Sequence, residues 1–132
     1  MEEIKVQTTS KSELIDLTSL VQDHVNKEKI SKGFCVVFVP HTTAGVTINE
    51  NADPDVPRDI LASLEMAVPF NANYRHAEGN SAAHVKASLV GSSQLILIEN
   101  GRLLLGTWQS IFFCEFDGPR TRKILVSVIA NQ

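Results

Sequence analysis

Cysteine is scarce in this chain: only Cys35 and Cys114 occur in 132 residues. Neither has a neighbour at metal-knuckle spacing, and each lies inside an apolar run, FCVVFV or IFFCEF. Both therefore read as buried free thiols in a reducing cytoplasm. No apolar run approaches the roughly 18 residues of a membrane span, and the acidic, alternating start MEEIKVQTT is not a signal peptide. Basic runs of five or more are missing and the net charge is −3, so neither nucleic acid nor a membrane surface is the expected partner. There is no Walker phosphate loop, no GxSxG, no internal repeat and no low-complexity linker.

What remains is a single domain, residues 1–132, at 43% hydrophobic and 20% charged residues, enough to bury a core unaided. EEIKVQTT alternates, with Ile4 and Val6 on one side, as a half-buried strand does. Ser10 and Glu13 have capping-box spacing, and Leu14, Leu17, Val21 and Val25 then recur at steps of three and four. These predict an amphipathic helix from there to about Asn26, with His24 at its edge. GFCVVFVP and AGVTINE read as strands. DPDVPRD opens a helix that Pro69 stops, with Asp53 or Asp55 as its cap. NANYRHAEGN reads as a loop, and SAAHVKASLV as a short helix with Gly91 past its end. QLILIE, Asn100-Gly101 and RLLLGTW make a hairpin signal with a type I′ turn. QSIFFCEF, the turn DGPR and KILVSVIA complete an antiparallel meander. The fold class is α+β, mostly antiparallel sheet with two or three helices.

Three of the four histidines stand outside the apolar periodicities: His41 at a strand end, His76 in a loop and His84 in a short helix. Three imidazoles plus water make a catalytic-type zinc set, and three unrelated surface histidines are the plain alternative. In HTTAGVTINENADPDVPRD, Asn49, Asn51 and Asp53 have the spacing of a calcium loop. Pro54 replaces its glycine and Ile60 its last glutamate, so it is not an EF-hand. Asp53 or Asp55 capping and Asn49 or Asn51 turn closure account for much of this segment, but not for Glu50. Trp108, followed by Gln109, is either a core residue or a pocket wall that stacks on a flat ligand.

Three blocks, HTTAGVTINENADPDV, YRHAEGNSAAHVKASLVGSS and GRLLLGTWQSIFFCEFDGPR, resemble the YjbQ-like family, often named secondary thiamine-phosphate synthase enzymes. The resemblance runs from about Val6 to Asn131. It implies an α+β domain that assembles as a homotrimer around a threefold axis. It also implies a transferase that joins a thiazole phosphate to an aminopyrimidine diphosphate and releases pyrophosphate. On that basis His41, His76 and His84 are expected to hold a divalent metal such as zinc. Glu50 or Glu115 would orient a ligand or act as general base. The start of the helix at Asn80–Ser81, with Arg120, would bind phosphate, and Trp108 and Gln109 would contact the substrate. The alternative is a non-catalytic binding protein for a small phosphorylated or anionic ligand. In either case the pocket is expected to lie between subunits.

Overall fold

The computed structural model describes residues 1–131. Among them three helices and eight strands run in the order β1 (Glu2–Gln7), β2 (Glu13–Asp16), α1 (Thr18–Glu28), β3 (Gly33–Phe38), β4 (Ala44–Glu50), α2 (Asp55–Ala67), α3 (Ser81–Val90), β5 (Ser93–Glu99), β6 (Arg102–Leu103), β7 (Gln109–Glu115) and β8 (Thr121–Ala130). The strands form a five-stranded sheet, β1-β8-β3-β5-β6, and a three-stranded sheet, β2-β7-β4. Every pairing is antiparallel, which bears out the α+β class.

Two cores separate three layers. The inner face of the large sheet (Cys35, Val37, Ile96, Ile98, Ile124, Val126) packs with Leu17, Val21 and Val25 of the α1 region onto Val46, Ile111 and Phe113 of the small sheet. The other face of the small sheet, Phe112, Cys114 and Phe116, is covered by Ala83 and Ala87 of α3 and by Leu61 and Leu64 of α2. The run IFFCEF is thus buried on both faces. That is why it forms the centre of the small sheet and does not continue a meander. β8 then returns to the middle of the large sheet, between β1 and β3, so the expected terminal meander is reduced to the hairpin β5–β6. In that hairpin Asn100 (φ 52°) and Gly101 (φ 75°) both take the left-handed conformation that a type I′ turn requires.

Two local expectations are corrected by tertiary pairing. The helix predicted from the Ser10–Glu13 box begins only at Thr18, because Leu14 and Ile15 pair with Cys114 and Phe113 as β2. Glu13 still binds backwards, accepting the N–H groups of Thr9 and Ser10 at 2.6 and 2.7 Å. RLLLGTW is strand only at Arg102–Leu103, and Thr107–Trp108 form a turn. Helix α2 starts where expected, with Asp53 Oδ1 accepting the N–H of Asp55 at 2.9 Å. Both cysteines are buried free thiols. Burial pushes Cys35 up to about 11 and Cys114 up to about 12, so neither is a thiolate nucleophile at neutral pH. Among the described residues no helix is long and apolar enough to cross a membrane.

Candidate functional site

β3 ends at Phe38, opposite Leu125 of β8, and Pro40 has no N–H with which to extend the ladder. Lys123, two residues before Leu125, therefore meets no strand on that side. His41 takes the place of the missing strand: its Nε2 accepts the Lys123 backbone N–H at 3.0 Å. A neutral imidazole that accepts at Nε2 carries its proton on Nδ1. Burial, and then the positive charge of Arg122, hold His41 below the ordinary histidine value, so the ring is neutral at pH 7. Its free group is an Nδ1–H donor in a fixed orientation.

The segment after His41 is pressed against the end of α3. Val46 donates its N–H to the Gly91 carbonyl at 3.1 Å. A Cβ on Gly45 would lie 2.6 Å from the same oxygen, so only glycine permits the approach. In consequence His41, Thr42 and Ala44 share a cavity of about 480 Å³ with His84, Ala87 and Ser88 of α3. The His76 ring stands edge-on to His84, with centroids 5.2 Å apart and an interplanar angle of 80°. Its Nε2 is 3.7 Å from Glu78 Oε2. The fold thus brings together the three histidines that the sequence singles out, with His84 in the middle.

The chain does not arrange them as a three-histidine metal set. Binding a metal through His41 Nδ1 would move that proton to Nε2, where it would face the Lys123 N–H, donor against donor. Among the described residues no three His, Cys, Asp or Glu side chains stand together in a way that could hold a metal ion.

Glu115 is corrected from catalytic candidate to buried anchor. It is fully buried. Its Oε1 accepts Thr8 Oγ1 and Arg122 Nε, each at 2.8 Å. Its Oε2 accepts Arg122 Nη2 and the N–H groups of Phe116 and Asp117. Burial pushes this carboxyl up, but Arg122 and the other donors outweigh it and hold it below the usual glutamate range. With both oxygens engaged, Glu115 cannot take a substrate proton. Arg122 also donates to Thr43 Oγ1 at 2.8 Å, which fastens the HTTAG segment to β8.

Two of the residues expected to bind phosphate at the start of α3 hold a protein carboxylate instead. Asn80 Nδ2 and Arg120 Nη2 each donate to Asp117 Oδ2 at 3.0 Å, and Lys11 Nζ donates to Oδ1 at 2.9 Å. Burial raises Asp117, but Asn80 and Lys11 more than offset it, so the carboxyl is held below the usual aspartate range. Ser81 opens the helix beside this cluster. The Asn80 and Arg120 side chains are thus engaged with Asp117, which gives both of them a structural role.

Glu50, Trp108 and Gln109 gather at the opposite end of the small sheet. Glu50 pairs with Gln109 at the last rung of β4–β7, about 20 Å along the strand from the start of β4 near His41. The Gln109 side chain closes its own loop by accepting the Gly106 N–H at 2.8 Å. Trp108 is 63% exposed and is neither core nor wall of the histidine cavity. The residues missed from the sequence are Arg122, Thr8, Thr43 and Asp117. Arg122 had a readable signal, since Arg122, Ile124 and Val126 occupy the alternating buried positions of β8.

The same fold and sequence recur in known proteins. The family described as "UPF0047 protein YjbQ-like" matches residues 2–131. The chain belongs to this family. The chain is 51% identical over 128 residues to UPF0047 protein MJ1081 of Methanocaldococcus jannaschii, covering 97% of this chain and 93% of that one. It is 50% identical to UPF0047 protein YugU of Bacillus subtilis, covering 96% of each. A crystal structure of a YjbQ/UPF0047-family protein from Clostridium acetobutylicum superposes with a TM-score of 0.96 at 57% identity, covering 98% of this chain and 100% of that one. A YbjQ-like protein of unknown function from Sulfolobus solfataricus gives a TM-score of 0.94 at 34% identity, covering 98% and 96%.

Proposed function

We propose that this protein binds a small phosphorylated ligand around His41 and acts on it as a transferase. The implied reaction is displacement of pyrophosphate from an aminopyrimidine diphosphate by a thiazole phosphate. The observation that carries this reading is the His41 ring, held at Nε2 by a backbone N–H and forming a wall of two cavities at once. A neutral Nδ1–H fixed in that position can donate to a ligand oxygen without having to lose a proton. In this reading His84 faces the ligand from the other wall of the larger cavity, and His76 packs against His84.

A divalent metal such as zinc would take its first two donors from His76 and His84 and the rest from the ligand or a second copy. It would neutralise charge on a leaving diphosphate. Self-association as a trimer is part of the same proposal. One face of the large sheet carries Phe38, Leu95, Leu97 and Ile129, each 40% to 59% exposed, with Phe34 flanked in register by Leu97 and Ile129. Apolar area of that kind marks an interface between subunits. A second copy is also the route by which Glu50, Trp108 and Gln109 would reach a histidine cavity that they do not reach within one chain.

The test is pyrophosphate release when both substrates are supplied. Release that drops by about a hundredfold in His41→Ala supports the proposal. Binding of the phosphorylated substrates with no release would replace it with the non-catalytic binding protein.

A further inference from the structure

On the other side of His41 lies a second cleft, which no motif marks. Glu3, Lys5, His41, Thr121, Arg122 and Lys123 line a cavity of about 430 Å³. Its floor is the β1–β8 ladder, where Lys5 is directly opposite Lys123. Like charges placed directly across an antiparallel pair destabilise a sheet. Glu3 Oε1 neutralises one of them, at 2.9 Å from Lys123 Nζ. Lys5 is in none of the ion pairs among the described residues. The Arg122 guanidinium is engaged with Glu115 and Thr43. What lines the cleft is therefore two ammonium groups, one carboxylate and the His41 ring. Glu3 offsets one of the two like charges, and Lys5 is left without an ion-pair partner among the described residues, a place that an anion from outside could fill.

We propose that the cleft between Lys5, Lys123 and His41 is the seat of a phosphate group, the phosphomonoester end of the ligand. Two lysines and an imidazole can donate to phosphate oxygens, and with Glu3 counted the cleft carries one net positive charge. Two residues that the sequence suggested for this role, Asn80 and Arg120, hold Asp117 instead. Because His41 is a wall of both cavities, a phosphate held here places the rest of its molecule toward His84. The inference deepens the proposed function, and its test reads anion binding alone, so the two fail separately.

The experiment is an amide NMR titration of the whole chain with inorganic phosphate at constant ionic strength, with chloride as control. The Lys5 and Lys123 amides are expected to shift saturably. Lys5→Gln and Lys123→Gln should each weaken binding by about tenfold or more, the loss of one charge-assisted contact. Lys32→Gln, away from the cleft, should leave binding unchanged. Phosphate should raise the melting temperature of the wild type but not of Lys5→Gln, a readout that needs no substrate. Equal shifts with chloride, unchanged affinity in Lys5→Gln, or loss of binding in Lys32→Gln would each overturn the assignment. A thiazole phosphate that displaces inorganic phosphate supports the link to the ligand site. Failure of every phosphomonoester to displace it would sink that link. Phosphate binding as described, without pyrophosphate release from any substrate pair, would overturn the transferase and leave the phosphate seat standing.

Discussion

Arg122 and Glu115 form an ion pair in which neither side chain meets solvent: they are 3% and 0% exposed. The pair joins β8 of the large sheet to β7 of the small one. Through Thr43, Arg122 also holds the segment that carries His41. Removing one partner leaves the other charged and buried, which costs about 3–5 kcal/mol. Glu115→Gln and Arg122→Met are each expected to lower the unfolding free energy measured in urea by that amount. A combined apolar replacement of both residues should recover much of it. Additive losses in the double-mutant cycle would show that the two side chains are not coupled.

Acid should loosen the same region. The folded protein holds Glu115 and Asp117 below their ordinary values of 4.5 and 3.8, so the unfolded chain binds protons first. Their contribution is complete above pH 4.5 and is lost as pH falls through the lower folded values. In chemical unfolding across pH, Glu115→Gln should be destabilised at pH 7 and show a shallower acid slope than the wild type. A slope identical to wild type would refute this account.

His41 titrates in the opposite chemical sense but with the same outcome. Its folded value lies below the ordinary 6.5, so the neutral ring of the folded state resists a proton that the unfolded chain accepts. Stability owed to this difference is present above pH 6.5 and declines as pH falls below it, levelling off once the folded ring protonates. Side-chain NMR is expected to give His41 a midpoint below 6.5, with Nε2 as the unprotonated nitrogen at pH 7. Protonated Nε2 at that pH would contradict the Lys123 contact.

Gly45 sets the distance between the His41 segment and α3. The Cβ of Gly45→Ala would meet the Gly91 carbonyl at 2.6 Å, so backbone must move. A loss of about 1–3 kcal/mol is expected, together with shifted His84 resonances. Unchanged stability with an unmoved His84 would mean that the approach is not tight.

Any zinc that copurifies should depend on His84 and not on His41. Elemental analysis is expected to find it missing from His84→Ala and His76→Ala and retained in His41→Ala. Loss on His41→Ala would overturn the donor assignment made from the Lys123 contact.

The sequence by itself determined the class of the molecule and most of its elements. Alternation in EEIKVQ, the β-rich run GFCVVF, the Asn100-Gly101 turn and the Asp53 contact to the Asp55 N–H depend on neighbours a few residues away, and those interactions form wherever the segment is placed. It also singled out His41, His76 and His84, because nothing in their local periodicity accounted for them. Partners far along the chain decided the rest. Leu14 and Ile15 lie in a strand because the edge of β7 was open to them, against a helical spacing that was otherwise sound. Glu115, read as a base, became an anchor when Arg122, Thr8 and two backbone N–H groups converged on it. Asn80 and Arg120, expected to bind phosphate, hold Asp117 instead. Lys5 and Lys123, ordinary lysines 118 positions apart in the chain, acquired a meaning only when β1 paired with β8. Charge, burial and hydrogen bonding depend on distance in space, and that distance is set by how the sheets pair and stack.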